Sequence, residues 1–387
     1  MHTFIKNLLN GQAVEWRALG EVAVIGTGNS NRQDESENGD YPFYVRSKNV
    51  LRSDSYQFDE TAIVIPGEGG IGDIFHYVEG KYALHQRAYR ICIHDGDINT
   101  KFLYHVMSNS FKQYILSKSV GATATSIRKP MLEKFQIPIP TLSVQSQIVQ
   151  ILDTFTELTA ELTAELSMRQ KQYQYYRDFL LSEHELAKVG FEWKRLGEVV
   201  LPTNNIRWHE NDLSYRYIDL SSVDKDNNNI GETLEITSKN APSRAQKIVR
   251  KDDVIFATTR PTQMRSALIP PNLDGQIAST GYCILRANQK EVLPKWIYYN
   301  LQVDKFKIYL QEKQSGTAYP AISDGLIKQF KIPIPPLSVQ SQIVAILDTF
   351  DTLVNSISEG LPKEIQLRQK QYEYYRELLL DFHPNQE

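Results

Sequence analysis

Four short polar segments carry side chains well suited to recognising another molecule. Two of them, "PGEGG" (Pro66 to Gly70) and "HQRA" (His85 to Ala88), lie in the first half of the chain. The other two, "ATTRPT" (Ala257 to Thr262) and "ASTG" (Ala278 to Gly281), lie at the corresponding positions of the second half, which repeats the plan of the first. Arginine can donate two hydrogen bonds to guanine or phosphate, and Gln, Ser and Thr can bond other base edges. This chemistry suits DNA binding, and the candidate contacts in and beside these segments are Gly69, Gly70, His85, Gln86, Arg87, Thr259, Arg260, Thr262, Arg265, Ser279 and Thr280.

Three further segments extend this set of candidate DNA contacts. "VGATATSIRKP" (Val120 to Pro130) and "QSGTAYPAISDG" (Gln314 to Gly325) occupy matching places in the two halves, and their Gly-Thr stretches are typical of turns that face phosphate. "YVRSKNV", which begins at Tyr44, adds basic and polar side chains. The added candidates are Arg46, Ser47, Lys48, Thr123, Thr125, Arg128, Gly316 and Thr317. For each residue an alternative stays open, namely loop polarity with structural glycines.

The sequence lacks the motifs that identify adenine methyltransferases and helicase motors. There is no Asn-Pro-Pro-aromatic motif of an adenine amino-methyltransferase and no glycine-rich phosphate loop that ends in Gly-Lys-Ser/Thr. The eight histidines are scattered without metal-ligand spacing, and Cys92 and Cys283 lie in strand-like runs typical of buried thiols. We therefore expect a non-catalytic protein with no cofactor and no metal in this chain.

The chain repeats one plan twice. "IPIPTLSVQSQIVQILDTF" (Ile137 to Phe155) returns as "IPIPPLSVQSQIVAILDTF" (Ile332 to Phe350) with two changes, and "EWRALGEV" returns as "EWKRLGEV". "RQKQYQYYRDFLL" likewise returns as "RQKQYEYYRELLL", whereas the segments in between agree poorly. Such internal repetition predicts two copies of one structural unit. The repeated blocks are expected to share one task and the variable segments to have two different ones.

Each repeated block predicts a long amphipathic helix. Apolar residues recur at intervals of three and four, at Ile148, Leu152, Phe155, Leu158, Leu162, Leu166, Tyr173, Tyr176 and Leu180. A lone helix cannot bury such a stripe, so we expect the two helices to pack against each other in antiparallel orientation. The tyrosine-rich ends are interpreted as packing residues of this seam rather than as a base-stacking platform.

The two helices differ in length and in continuity. "LTAELTAEL" contains two TAEL units, and Leu158, Leu162 and Leu166 mark their spacing in a helix that could set a distance. Four residues add about 6 Å and about 40° of rotation to a helix. The second copy instead has "SEGLPKE", in which Gly360 and Pro362 are expected to break or kink the helix.

Charge separates the variable segments from the helices. Residues 193–331 hold 20 Lys and Arg against 15 Asp and Glu, a net charge of +5, whereas residues 137–192 and 332–387 each have a net charge of −4. The variable segments are therefore the better surfaces for a polyanion. The apolar runs are too short to span a bilayer and the start lacks a signal-peptide pattern, so we expect a cytoplasmic protein without membrane contact.

These patterns predict an α+β fold with an internal pseudo-twofold repeat. Two mixed-sheet variable domains, residues 1–136 and 186–331, are expected to be joined by two long helices, residues 137–185 and 332–387, packed as an antiparallel coiled coil. Each variable segment is expected to read strand, polar loop, strand, turn, strand and then helix.

The repeated blocks, the TAEL units and the "RQKQYxYYR" closing segments resemble the specificity subunit (HsdS) of type I restriction–modification enzymes. The resemblance covers essentially the whole chain and is strongest for the group with TAEL repeats. It implies that each variable domain reads one half of a bipartite asymmetric site in double-stranded DNA, through the major groove. It also implies that the helices set the length of the unread spacer between the two half-sites, which for two TAEL units is about six base pairs by that resemblance, although the helices need not lie parallel to the DNA.

The same resemblance implies protein partners and a biological role. The helices would dock two methyltransferase (HsdM) subunits, and two motor–nuclease (HsdR) subunits would join the full complex for defence against foreign DNA. S-adenosylmethionine, ATP and Mg²⁺ would then belong to those partners. A pseudo-symmetric protein-only scaffold is the alternative, since the acidic helices fit it, but it leaves the divergence of the loops unexplained.

Overall fold

The computed structural model describes residues 3–118, 126–210, 212–225, 227–356 and 358–382. In chain order the helices are α1 (Thr3–Leu9), α2 (Leu19–Val22), α3 (Thr100–Lys118), α4 (Lys129–Glu133), α5 (Leu142–Leu180), α6 (Glu183–Ala187), α7 (Leu196–Val199), α8 (Pro294–Asn300), α9 (Asp304–Lys313), α10 (Asp324–Gln329), α11 (Leu337–Asn355) and α12 (Gly360–Leu379). Within these ranges, no helix is both long and apolar enough to cross a membrane.

The strands lie between these helices, mostly in consecutive runs. They are β1 (Glu15–Ala18), β2 (Ala23–Thr27), β3 (Tyr41–Tyr44), β4 (Leu51–Ser53), β5 (Phe58–Pro66), β6 (His76–Leu84), β7 (Ala88–Ile93), β8 (Gln136–Ile139), β9 (Glu192–Arg195), β10 (Val200–Leu201), β11 (Tyr215–Ile218), β12 (Leu234–Ile236), β13 (Ala245–Ile248), β14 (Val254–Ala257), β15 (Ser266–Leu268), β16 (Ile277–Ser279), β17 (Tyr282–Ala287) and β18 (Lys331–Ile334). The chain divides into two compact units, residues 1–161 with 366–387, and residues 162–365.

The first unit is built on a six-stranded sheet with the strand order β2-β7-β5-β6-β3-β4. Its neighbouring strands are antiparallel except β3 and β6, which pair in parallel with Phe43 opposite Ala83. Ile63 of β5 shares a buried cluster with Leu103 and Met107 of α3, so this helix covers one face of the sheet. The predicted order of strand, loop, strand, turn, strand and helix is confirmed by β5, β6, β7 and α3.

The second unit contains two four-stranded sheets, with the strand orders β10-β17-β14-β15 and β12-β11-β16-β13. Strands β11 and β16 are parallel, with Tyr217 opposite Ile277. Ile255 and Ile284 of the first of these sheets share a buried cluster with Ile218 of the second. The unit is therefore a mixed α+β structure like the first, with the strands divided between two sheets.

The repeated "EW" and "IPIP" segments form the same strand pair in both copies. Strand β1 pairs antiparallel with β8, with Trp16 opposite Pro138, and β9 pairs with β18, with Trp193 opposite Pro333. Each pair stands apart from the larger sheets as a two-stranded ribbon. Proline is acceptable at this position because an edge strand has backbone groups that no further strand must satisfy.

The repeated helical blocks form one continuous helix and one interrupted helix. Helix α5 runs unbroken from Leu142 to Leu180, whereas the second block is divided into α11 and α12. The predicted break at "SEGLPKE" is thus confirmed. Gly360 adopts a φ of +71°, and a Cβ atom at this position would lie 2.4 Å from the carbonyl oxygen of Thr352. Glycine is required there because it alone avoids both the strain and the collision.

Each unit contains one part of the predicted helix pairing. In the first unit, Phe155 stacks on Tyr375 with the ring centroids 5.2 Å apart. In the second unit, the hydroxyl of Tyr173 donates to Asp351 (3.3 Å), and this buried ring also stacks on Phe350. These contacts confirm seam packing for Tyr173.

The apolar stripe of α5 is not buried along its whole length. Leu158 is 39% exposed, so its expected burial in the seam is wrong, while Leu162 and Leu166 are half-buried. Tyr175, in the same tyrosine-rich end as Tyr173, is 63% exposed.

A fully buried glutamine fixes the start of each long helix. The side-chain amide of Gln145 donates to the carbonyls of Asp97 (2.8 Å) and Pro140 (2.7 Å), and its oxygen accepts from the Asn99 amide (2.8 Å). Gln340 makes the corresponding bonds to Glu291, Pro335 and Leu293, each 2.9 Å long. This shared network explains why the two copies keep glutamine at the same place in "LSVQSQIV".

Candidate nucleic-acid interface

In the first unit, the loop that follows β5 is fastened to two other segments. The Gly67 amide donates to the Arg87 carbonyl (2.8 Å), and the Ile127 amide donates to the Gly67 carbonyl (2.8 Å). Glu68 and Ser126 form an isolated antiparallel bridge. The "PGEGG" loop, the "HQRA" turn and the segment before α4 are therefore neighbours, as their shared candidate role requires.

Two candidate arginines meet at a carboxylate in this first loop cluster. The Glu68 Oε2 atom accepts hydrogen bonds from Arg46 Nη1 (3.2 Å) and from Arg87 Nη1 (3.1 Å). All three side chains are exposed or nearly so, and they come from three different loops. The structure thus brings Arg46 and Arg87 together although 40 positions separate them in the sequence. Glu68 lies in a quoted loop, but an acidic side chain is not an obvious choice for a surface that binds a polyanion.

His85 is buried beneath this pair of arginines. Its Nδ1 atom accepts a hydrogen bond from the Arg87 amide (3.0 Å), which shapes the turn that presents Arg87. Burial lowers the pKa of His85, and the positive charges of Arg46 and Arg87 lower this pKa further, whereas Glu68 raises it. The neutral imidazole therefore acts as an acceptor within the turn, and its ring is not an exposed contact.

The other candidates in the first unit have diverse environments. Gln86 donates to the side chain of Asn31, and Ser47 donates to the Asn49 carbonyl (3.0 Å). Gly69 and Gly70 have φ values of +67° and +56°. Lys48 and Arg128 are exposed. Thr123 and Thr125 lie outside the described residues.

In the second unit, the loop after β14 has the same backbone frame. Thr259 and Ala321 form an isolated antiparallel bridge, and the Ile322 amide donates to the Thr258 carbonyl (2.9 Å). These contacts match the bridge of Glu68 with Ser126 and the bond from Ile127 to Gly67. Thr259 therefore holds the place of Glu68, and the next residue, Arg260, holds the place of Gly69.

Arg260 adopts an unusual backbone conformation at the tip of this loop. Its φ is +50°, and the matching glycine has a φ of +67°. A left-handed conformation costs a non-glycine residue about 1 kcal/mol and is found preferentially at functional sites. The Arg260 amide donates to the Pro320 carbonyl (2.7 Å), and its guanidinium lies 5.7 Å from the ring centre of Tyr319. Tyr319 is 74% exposed and was not among the sequence candidates.

The remaining candidates of the second unit differ in their exposure to solvent. Arg265 donates to the Leu220 carbonyl (2.6 Å), so this guanidinium supports a neighbouring loop. Ser279 is 2% exposed and accepts a hydrogen bond from the Gly281 amide (3.1 Å), which places its hydroxyl inside the domain. The Thr280 amide donates to the Arg244 carbonyl (2.8 Å). Thr262 is half-buried, and Gly316 and Thr317 are exposed in the segment that lies beside the Arg260 loop.

The repeated helical blocks also share exposed apolar residues. Tyr175 of α5 and Tyr374 of α12 occupy the same position of the "RQKQYxYYR" segment and are 63% and 57% exposed. Leu142 and Leu337, at the first position of α5 and α11, are both exposed as well. Exposed residues that recur at equivalent positions of both copies are candidates for a surface that binds the same partner twice.

Comparisons with known proteins agree on one family. The family model for the type I restriction modification DNA specificity domain matches residues 12–168 and 188–367. The chain is 31% identical to the specificity subunit of the type I restriction enzyme EcoR124I/EcoR124II of Escherichia coli, over 98% of this chain and 97% of that protein. It is 32% identical to a type I restriction enzyme specificity subunit of Haemophilus influenzae, over 98% of both chains.

A solved structure supports the fold over the same length. The S subunit of a type I restriction-modification system from M. genitalium matches with a TM-score of 0.62 at 16% identity, over 97% of this chain and 98% of that chain. The expected α+β architecture with two repeated domains and long helices is confirmed by this match together with the family model.

Proposed function

The chain belongs to the type I restriction modification DNA specificity family, and from that premise we propose that it is the non-catalytic subunit that recognises DNA in a type I restriction–modification complex. Each variable domain reads one half of a bipartite asymmetric site. Methylation and cleavage are carried out by partner subunits. The protein acts in the cytoplasm, where these partners reach DNA.

The shared loop frame with different side chains is the observation that carries this proposal. Glu68 and Thr259 hold the same place in the two domains, as judged by their bridges to Ser126 and Ala321. The first domain surrounds this place with arginines from other loops, whereas the second places Arg260 within the loop itself. One frame with two different sets of hydrogen-bonding groups suits two different base sequences.

We assign the direct DNA contacts to the exposed members of the candidate set. Those with a long polar side chain, or next to one, are Arg46, Lys48, Gln86, Arg87, Arg128, Arg260 and Thr317, with Tyr319 added, and the exposed Ser47, Gly69, Gly70 and Gly316 lie beside them. His85, Arg265 and Ser279 support the loops from below through hydrogen bonds to backbone groups. A protein-only scaffold is not favoured, because it would need neither the arginine pair nor the strained Arg260 loop.

The helices have two tasks in this proposal. The TAEL units of the uninterrupted α5 set the spacer between the half-sites, which by the family resemblance is about six base pairs. The recurring exposed residues, including Tyr175 and Tyr374, dock two methyltransferase subunits. Two motor–nuclease subunits join for cleavage, and the partners bind S-adenosylmethionine, ATP and Mg²⁺.

Methylation mapping tests the whole proposal. Single-molecule sequencing should find N6-methyladenine in one bipartite asymmetric motif in cells that express this chain with its methyltransferase subunit, and not in cells that lack this chain. Exchange of residues 15–136 for another such domain should change one half of the motif and leave the other half unchanged. Identical maps with and without this chain, in cells where the two proteins still co-purify, would favour the scaffold.

A further inference from the structure

Glu68 places a negative charge at the centre of the first loop cluster, although the proposed partner is a polyanion. Its Oε2 atom holds Arg46 and Arg87 at 3.2 and 3.1 Å, so the three side chains form one group with a net charge of +1. Without Glu68 the two guanidinium groups would repel each other, because they have like charges. They come from different loops, so they would be free to move apart. The carboxylate therefore keeps two hydrogen-bond donors side by side and adds an acceptor between them.

The shared loop frame does not require an acid at this place. Thr259 makes the corresponding bridge in the second domain, and the matching amide-to-carbonyl bond from Ile322 to Thr258 is also present. The backbone of the loop is thus held by main-chain contacts in both domains. The carboxylate of Glu68 is consequently available for a role specific to the first domain.

The arrangement matches the edge of a G·C pair in the major groove. Guanine presents two acceptors, N7 and O6, and cytosine presents the N4 amino donor beside them. An arginine can donate to the guanine while a carboxylate accepts from the cytosine amino group. At a base pair that offers no amino group in this position, the carboxylate would face acceptors and phosphates without a partner, and binding would be penalised.

We propose that Glu68 is a specificity-determining residue of the first half-site, which accepts a hydrogen bond from a cytosine amino group while one of the arginines it positions donates to guanine. This inference rests on the proposed function, because it assumes that the first domain reads DNA. It assigns at least one G·C pair to the first half-site. It also gives Arg46 and Arg87 a common positioning residue.

Glu68→Gln is the decisive variant, because the amide keeps the shape of the side chain and removes the charge. Glu79→Gln is the matched control, since Glu79 is an exposed residue of strand β6 whose carboxylate accepts from the Tyr77 hydroxyl (2.8 Å). The full chain would be expressed with its methyltransferase subunit, and genomic methylation would be mapped by single-molecule sequencing. Thermal unfolding of each purified complex would check that the variants fold.

The expected result is a relaxed motif in one half only. With Glu68→Gln, discrimination at one G·C position of the first half-site should fall about tenfold, within the usual effect of one mismatched pair. The second half-site and the Glu79→Gln motif should be unchanged. Glu68→Asp, which keeps the charge and shortens the side chain, should relax the same position.

Three other results would be decisive in the opposite direction. An unchanged motif with both Glu68 variants would overturn the inference, as would folded variants that lose methylation at all sites. A relaxed position that is an A·T pair in the wild-type motif would show that the amino group read is that of adenine, which contradicts the assignment. If the wild-type chain gives no bipartite motif, the proposed function itself fails, and this outcome is distinct from the first three.

Discussion

Replacement of Gln340 by Met should destabilise the second unit while keeping the volume of the side chain nearly the same. Gln340 is fully buried, and its amide satisfies the Leu293 amide and the carbonyls of Glu291 and Pro335, each at 2.9 Å. Methionine would fill the space but leave all three backbone groups without a partner. Two of these groups, those of Glu291 and Leu293, lie in the segment before α8, and the Pro335 carbonyl lies in the link between β18 and α11, so the loss affects the joint between the domain and its helix.

The size of the effect follows from the burial of these backbone groups. A buried group left unsatisfied costs about 1–3 kcal/mol, and the lower end applies where water has some access. The bond to Pro335 is buried and the other two are partly buried, which gives a total loss of about 2–4 kcal/mol. In a unit of about 200 residues this corresponds to a fall in Tm of roughly 5–15 °C.

Differential scanning calorimetry of the full chain would measure this shift, since it can separate the transitions of two units. Gln342→Met is the control, because Gln342 is exposed on the same helix and its replacement should change stability by less than about 0.5 kcal/mol. Gln145→Met should produce the same shift in the first unit. A Gln340→Met protein whose transitions lie within 2 °C of the wild type, a limit of about 1 kcal/mol, would refute the argument that this network fixes the helix.

Three further predictions concern a buried histidine, the helix break and the strained loop. Burial lowers the pKa of His105, so the folded state binds fewer protons than the unfolded state, and stability should fall as the pH drops below about 6.5. His105→Tyr copies Tyr299, the residue at the same position of the second repeat, and should reduce this loss of stability in melting curves taken at about pH 8 and 5.5. Gly360→Ala should lower the stability of the second unit by more than about 1 kcal/mol in urea unfolding, because it adds left-handed strain and a collision with a carbonyl oxygen; an unchanged midpoint would contradict this account. Arg260→Gly should raise stability by up to about 1 kcal/mol in calorimetry, because glycine removes the left-handed strain. The same variant should weaken binding to target DNA at least tenfold, as measured by fluorescence anisotropy on a labelled duplex that contains the mapped motif.

The elements that repeat could be predicted from the sequence because their signals are local or duplicated. The spacing of apolar residues predicted a long helix in residues 137–185, where α5 runs from Leu142 to Leu180 between strand β8 and the short α6, and Gly360 with Pro362 predicted the division between α11 and α12. Within the described residues, Ser126 of "VGATATSIRKP" and Ala321 of "QSGTAYPAISDG" make corresponding bridges to the loop after the central strand, in keeping with the matching places of these two segments in the sequence. Periodicity and duplication need no knowledge of contacts between distant residues, which is why they were sufficient here.

The assignment of individual loop residues could not be made from the sequence. Arg265 and Arg260 have the same chemistry, but the guanidinium of Arg265 is bonded to the Leu220 carbonyl, whereas Arg260 lies beside the exposed ring of Tyr319. Which arginine faces outward depends on backbone groups far away in the chain. The role of Glu68 could not be predicted from the sequence for a related reason, because its partners come from two other loops. An acidic residue also has no local sequence signal that marks it as a DNA contact.

The position after Glu68 and Thr259 shows how one frame can serve two specificities. In both domains the loop turns through a left-handed residue, with a φ of +67° at Gly69 and +50° at Arg260. Glycine accepts this geometry without strain but has no side chain that could bind DNA. The first domain therefore brings its arginines from neighbouring loops and holds them with a carboxylate. The second domain places an arginine directly at the turn and bears a strain of about 1 kcal/mol. Because main-chain bonds hold both turns, the side chains at the tip can change without loss of the frame.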